Sequence, residues 1–256
     1  MNFLMSKVET LLLQFGFDLR KFFLAISEIP YFVKSARRYA GRASNSKFPL
    51  KLGNLRPMLT DRKAPAGHFN GIYFFQDIWA AKKIYVSKVS LHTDVGSSIE
   101  GFVAHVLCFT SVEVIDIRPL KISMPGLSFA QEDATTLSRF KDDSIESLSS
   151  LHAIEHFGLG RYGDPVSEDA YFRAMRSLAR VLAPNGRLYF SVPIGWQRVQ
   201  FNSQRLFNPL TILDIFSDLK LLSFSAVNDR GEFIVNARPD DFTNLNCGCG
   251  MFEFTK

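Results

Sequence analysis

Three short clusters carry residue types suited to holding a nucleoside. Asp94-Val95-Gly96-Ser97-Ser98-Ile99-Glu100-Gly101 joins a carboxylate to two glycines and two serines. Gly96 permits a tight turn, Ser97 and Ser98 let a ligand approach the backbone, and amides opening a helix there can bind a polar cofactor edge. Asp116 lies 20 residues beyond Gly96, with Ile117 beside it. That is the separation at which a carboxylate ending the next strand reaches a ribose diol. Asp133 follows 17 residues later, within Glu132-Asp133-Ala134-Thr135. Its carboxylate, or the amides around Ala134, suits the hydrogen-bonding edge of a base such as adenine. Read blandly, the first cluster is a sharp turn that packs a helix on a sheet, and Asp116 caps a local turn. Three such points at successive strand ends are more specific than any one alone.

His152-Ala153-Ile154-Glu155-His156 reads literally as H-x-x-E-H, an inverted zinc-protease signature. Histidines four apart on a helix would share a face. Here the motif abuts a predicted strand, 147–151, and Phe157-Gly158-Leu159-Gly160 follows at once, so a long metal-binding helix has no room. No metal is expected. As a strand-end loop the residues face a crevice: His156 is the candidate base, Glu155 its partner or a cofactor contact, and His152 a cofactor contact or a packed histidine. Arg161, Tyr162 and Asp164 are candidate acceptor contacts, as are Asn202 and Arg205, whose bland reading is polar surface.

Positioning these residues requires alternating strands and helices. Helices are predicted at 74–83, 168–182 and 210–216, the last capped by Asn208 with Pro209 at its start, and the apolar run 102–109, too short for its periodicity to decide, stands where a helix fits. Strands are predicted at 89–95, 112–115, 127–129, 147–151, 187–192 and 221–227, with Pro184-Asn185-Gly186 breaking the 168–182 helix before the fifth. Residues 250–254 alternate weakly, which suggests an edge strand. The pattern describes a mostly parallel sheet covered on both faces.

Charge divides the chain. Residues 1–52 hold nine Lys/Arg and three Asp/Glu, whereas residues 53–256 hold 21 and 22, so the whole excess is N-terminal. Residues 1–52 are expected to form a helical segment and linker, with helices at 4–15, 18–23 and 31–39, a restart at Pro30 and a connector at 41–57; residues 53–256 form the α/β domain. The basic, Phe- and Leu-rich segment 1–45 suits an anionic membrane surface or a biosynthetic complex, or is a solvated face on packed helices. The near-neutral remainder lacks the broad basic surface expected for nucleic acid. No stretch reaches the length of a membrane span and the first residues make a poor signal peptide, so a cytoplasmic protein, peripheral at most to the inner membrane face, is expected. The three cysteines form no disulfide framework, and Cys108 reads as a buried core thiol.

Asp94-Val95-Gly96, Asp116, Glu132-Asp133-Ala134, Leu151 to His156 and Arg180-Val181-Leu182-Ala183-Pro184-Asn185-Gly186-Arg187-Leu188 resemble the class I S-adenosylmethionine-dependent methyltransferases. A narrower resemblance is to DUF268, a family of uncharacterised bacterial proteins. It rests on Asp94-Val95-Gly96-Ser97, Ile117-Arg118-Pro119, Glu155 to Pro165, Phe201 to Arg205 and Cys249 to Lys256, and would cover most of the chain. The resemblance implies a Rossmann-like α/β sheet ordered 3-2-1-4-5-7-6 with the last strand antiparallel. It further implies S-adenosyl-L-methionine as cofactor, held by Asp94, Gly96, Ser97, Ser98, Gly101, Asp116, Ile117, Asp133, Ala134 and His152, and an association with surface-polysaccharide gene sets. Ser98 departs from the superfamily pattern, which has a second glycine there. The implied activity is methyl transfer to a small molecule or to a surface-polysaccharide sugar or precursor. A catalytically silent nucleoside-binding or biosynthetic-complex protein and an NAD(P)-dependent oxidoreductase are the alternatives.

Overall fold

The computed structural model describes residues 2–43, 47–64, 67 and 71–256. The chain divides into two compact units, Met1–His68 and Phe69–Lys256, later than the 52/53 division that composition suggests.

The first unit contains helices α1 (Asn2–Gln14) and α2 (Leu19–Ala43), joined through a turn at Gly16 with φ +81°. The expected restart at Pro30 does not occur, and α2 runs through it. A proline removes one backbone donor; the apolar spacing Phe22, Ile26, Ile29, Val33 continues unbroken across it. Glu28 is buried on α2 and accepts from Arg62 Nη2 at 2.8 Å, with Lys63 Nζ also at 2.8 Å. These cations hold its carboxyl down at about 2. Residues 44–46 of the expected connector lie outside the described residues.

The second unit opens with α3 (Gly71–Ser87) and then runs β1 (Leu91–Val95), a π-helical turn (Ile99–Val103), α4 (Ala104–Leu107), β2 (Ser111–Asp116), β3 (Leu127–Gln131), β4 (Ile145–Leu151) and α5 (Ala170–Val181). It continues through β5 (Leu182–Ile194), β6 (Arg198–Gln200), β7 (Gln204–Leu206), α6 (Pro209–Ile215), β8 (Lys220–Val227), β9 (Phe233–Ile234) and β10 (Gly248–Thr255). The main sheet is ordered β3-β2-β1-β4-β5-β10-β8-β9. Strands β1 to β5 pair in parallel, and β10 is antiparallel to both β5 and β8. Apart from the two-residue β9, this is the expected 3-2-1-4-5-7-6 order.

The edge-strand reading of residues 250–254 is overturned, because β10 lies inside the sheet. Phe252 and Phe254 point into one apolar layer and Met251 into the other. A strand buried on both faces loses the alternation that marks a half-exposed one. Leu188, Phe190 and Val192 of β5 likewise face the α5–α6 layer, while Tyr189 faces α3. Helix α5 ends at Val181, just before Pro184-Asn185-Gly186, but these three residues already belong to β5, which starts earlier than expected and holds Asn185 at φ +63°. The β4–β5 register shifts there, Leu182 pairing with Ile145 and Arg187 with Ser147. Cys108 is exposed rather than buried. Phe102, Val103 and Val106 fill the side facing the sheet, and at roughly 100° per residue position 108 turns away from it.

Phe252 is fully buried and packs against Phe224 with ring centroids 4.7 Å apart and against Phe254 at 5.8 Å. Phe252→Ala is expected to cost about 3–5 kcal/mol of unfolding free energy. Denaturant titration checks it, and a loss below about 1 kcal/mol would show that β10 does not carry the core.

Candidate functional site

The carboxyl ends of β1, β2, β3 and β4 lie along one edge of the sheet. Val95 pairs with Ile115, Asp116 with Gln131, and Asp94 with Ser149. The segments leaving these strands wall a cleft, the place where open α/β sheets bind ligands. Of the sequence-predicted residues, Gly96, Asp116, Ile117, Asp133, Ala134, His152, His156, Tyr162 and Asp164 line it.

Asp94, Ser97, Ser98 and Gly101 do not; they build its frame. The fully buried Asp94 carboxylate accepts from Ser97 N at 3.0 Å, Ser97 Oγ at 2.5 Å and Ser149 Oγ at 2.5 Å. Burial pushes its carboxyl up to about 6, against the lowering effect of these hydrogen bonds. Ser97 Oγ also accepts from Leu151 N at 2.9 Å, tying the loop after β1 to the end of β4. Ser98 Oγ accepts from Gly101 N at 3.1 Å and caps the π-helical turn. A Cβ on Gly101 would stand 2.5 Å from Asp77 Oδ2, so α3 presses directly on this turn. Gly96 has φ +72°, and a Cβ there would meet Ala153 at 3.0 Å.

Asp116 reaches the cleft, but its carboxylate is engaged. Arg118 Nη2 donates to Oδ2 at 2.7 Å, while Arg118 Nε and backbone N donate to Oδ1 at 3.0 and 2.8 Å. The Arg118 guanidinium also lies 4.4 Å over the Tyr162 ring, and that ring stands edge-on to His156 at 5.5 Å. Arg118 was visible in the sequence as part of Ile117-Arg118-Pro119, yet nothing in its spacing revealed that it folds back onto Asp116. Asp133 Oδ1 accepts from Thr135 N at 2.8 Å. The Ala134 amide makes no hydrogen bond among the described residues. Glu132, also in the wall, leaves Oε2 buried without a partner.

The H-x-x-E-H segment is a short 3-10 turn, Ile154–His156, not a long helix. His156 Nδ1 lies 2.7 Å from the Ser203 carbonyl, and Arg161 Nη1 lies 3.2 Å from Nδ1 and 3.0 Å from the same carbonyl. A carbonyl has no proton to give, so Nδ1–H donates to it and Nε2 keeps its lone pair. Burial lowers the pKa of His156, which favours its neutral form. Beneath it Glu155 is 1% exposed, with both carboxyl oxygens lacking a hydrogen-bond partner. Its Oε1 is 3.3 Å from His152 Nδ1 and 3.7 Å from His156 Nε2, and burial pushes this carboxyl up to about 8. His152, held at φ +50°, turns Nε2 toward Cys249 Sγ at 3.3 Å, and burial lowers its pKa to about 3. The two nitrogens of His152 thus point to different partners. No group of three or more His, Cys, Asp or Glu among the described residues is arranged to hold a metal ion. Cys249, 97 residues from His152, is a neighbour that only the interior position of β10 reveals.

The predicted acceptor contacts divide. Tyr162 and Asp164 line the cleft, and Asp164 accepts from the Gly158 and Tyr162 amides at 2.7 and 3.2 Å. Arg161 is exposed beside the cleft. Arg205 donates to the Phe157 and Ser167 carbonyls at 2.5 and 3.4 Å and lines a neighbouring groove with Tyr171 and Phe201. Asn202 is exposed in the turn of the β6–β7 hairpin and lines neither.

The fold is that of the Rossmann-like class I methyltransferases. It is similar to the [4+2]-cyclase SpnF, with a TM-score of 0.50 and 12% identity over 70% of this chain and 81% of that one. It is also similar to N-methyltransferase NodS from Bradyrhizobium japonicum in complex with S-adenosyl-L-homocysteine, at TM-score 0.51 and 14% identity over 72% and 87%. At such identities the likeness is one of fold. Residues 120–241 match the family described as Caenorhabditis protein of unknown function, DUF268. That is just under half of the 256 residues and leaves out Asp94-Val95-Gly96-Ser97 and the closing Cys249 to Lys256. The description names Caenorhabditis, not bacteria. No curated protein matches the sequence.

Two outcomes test the site's construction. A Cβ on Gly158, at φ +75°, would stand 2.0 Å from the Ser167 carbonyl oxygen. Gly158→Ala should therefore destabilise the protein by more than about 2 kcal/mol by urea unfolding; an unchanged midpoint would show that the 158–167 crossing is loose. For Glu155, the folded pKa of about 8 exceeds the ordinary glutamate value of 4.5. The folded state keeps a proton that the unfolded state releases, so stability is full below about 4.5 and falls as pH rises toward about 8. Glu155→Gln should lack this decline, so its melting temperature relative to wild type should rise across that window. A parallel pair of curves would mean that Glu155 is ionised in the folded protein.

Proposed function

We propose that the second unit is an S-adenosyl-L-methionine-dependent methyltransferase acting on a hydroxyl-bearing small molecule or a surface-polysaccharide sugar or precursor. The observation that carries this reading is the placement of Asp116, the Ala134 amide and His156 around one cleft at successive strand ends.

The residues present fit the cofactor's chemistry. Gly96 brings bare backbone to the cleft, Asp116 offers a carboxylate for the ribose diol, and Asp133 with the unpaired Ala134 amide offers an acceptor and a donor for the adenine edge. When bound, S-adenosyl-L-methionine supplies an electrophilic methyl group. His156 Nε2, with its lone pair free and its ring fixed by Ser203, takes the proton of an acceptor hydroxyl. The protonated Glu155 carboxyl below it adds no negative charge to the floor. Tyr162 and Arg161 flank the acceptor side, and the surrounding apolar wall excludes water while the reactants are held in line.

A second reading, a nucleoside-binding protein that does not transfer methyl groups, is favoured by the fold likeness to the [4+2]-cyclase SpnF, whose named reaction is not a methyl transfer. Turnover of a radiolabelled methyl group on a panel of acceptors separates the two. The nicotinamide reading is weakened by antiparallel β10 inserted between β5 and β8, since the dinucleotide fold runs 3-2-1-4-5-6.

Calorimetric titration with S-adenosyl-L-homocysteine tests the ribose contact from both sides. Asp116→Asn should weaken binding by at least about tenfold, while Arg118→Ala, which uncovers the carboxylate, should tighten it. Circular dichroism confirms folding of both variants. Unchanged affinity in folded Asp116→Asn would remove Asp116 as the ribose ligand.

A further inference from the structure

The first unit presents a surface that this chemistry does not use. Along α2, Phe22, Ile26, Ile29 and Val33 recur at helical spacing and are all exposed, Phe22 at 51% and Ile26 at 49%. Opposite them Leu24, Glu28 and Phe32 turn inward. The turn between α1 and α2 adds Phe15 at 76% and Phe17 at 61% exposed, and Leu11 of α1 is exposed as well. Contiguous apolar surface of this kind marks an interaction site rather than ordinary scatter.

The charges identify what fits it. The first 52 residues contain only three acids, and each is engaged within the unit. Glu9 pairs with Arg20 at 2.7 Å, Asp18 lies 3.7 Å from Lys21, and Glu28 is buried between Arg62 and Lys63. Lys34, Arg37, Arg38 and Arg42, on the last turns of the same helix, form no ion pair among the described residues. Apolar side chains beside uncompensated cations complement a surface that is anionic at its face and apolar just below it. Among the described residues no helix is long and apolar enough to cross a membrane, so the complement is shallow contact.

We propose that α1 and α2 form a docking element for anionic lipid bilayers. The apolar stripe enters the acyl boundary, and the arginines of the last turns meet lipid phosphates and carboxylates. The proposal stands independently of the methyl-transfer reading, because none of these residues lines the cleft.

Co-sedimentation of the full chain at physiological salt tests it, with vesicles of phosphatidylcholine alone or with a minority of phosphatidylserine. The wild type should partition at least about tenfold more strongly onto the phosphatidylserine vesicles. Phe22→Ser with Ile26→Ser should lose most of the pelleting. Arg37→Gln with Arg38→Gln and Arg42→Gln, exposed changes that leave the helix intact, should lose the preference for anionic lipid. Circular dichroism verifies the fold of each variant. Equal pelleting on both vesicle types, no pelleting, or variants that bind like wild type would overturn the proposal. So would a lipid-free dimer in sedimentation velocity that Phe22→Ser with Ile26→Ser disperses, since a second copy would then cover the stripe.

Discussion

A carboxylate with no access to water must have its hydrogen bonds supplied by the protein, and Asp94 imposes that requirement at the centre of the sheet. Its donors come from the loop after β1 and from β4, so satisfying it fixes the relative position of the two strand ends. Ser97 completes the tie by accepting from Leu151. From that clasp the rest follows. Gly96 turns against Ala153, His152 is carried into a left-handed conformation, and the next turn delivers His156 to the cleft with Glu155 buried beneath it. Asp94 therefore serves the site without lining it.

The floor so built is held neutral. Glu155, His152 and Cys249 are all buried, and burial favours the uncharged form of each. His156 sits at the boundary of this layer and receives its orientation from the hairpin carbonyl of Ser203 and a flank from Tyr162. The cations gather at the rim, where Arg118 and Arg161 both approach the face of Tyr162. A neutral floor under a basic rim suits an uncharged proton acceptor below and polar or anionic groups above.

Much of this was legible in the sequence because it depends on local spacing. Each of the six expected strands has a counterpart, and Gly96, Asp116 and Asp133 fall at strand ends as their separations require. Long-range pairing was not legible. The interior position of β10 depends on burial of both its faces, which erases the alternation a sequence offers. Arg118 closing on Asp116 and His152 meeting Cys249 are likewise set by rotamers and by strand order. Arg205 read as a free cation for substrate, yet its guanidinium is spent on the Phe157 and Ser167 carbonyls. Composition sets the basic N-terminal segment apart, but Pro30 suggested a helix boundary that α2 does not observe.

The function proposed for the cleft requires that it hold an adenosyl nucleoside. Native mass spectrometry of the freshly purified full chain, before and after incubation with S-adenosyl-L-homocysteine, tests it most directly. A one-to-one adduct of that mass is expected, retained from the cell or formed on incubation, on a protein that still melts cooperatively. A folded protein that shows no adduct under either condition would contradict it.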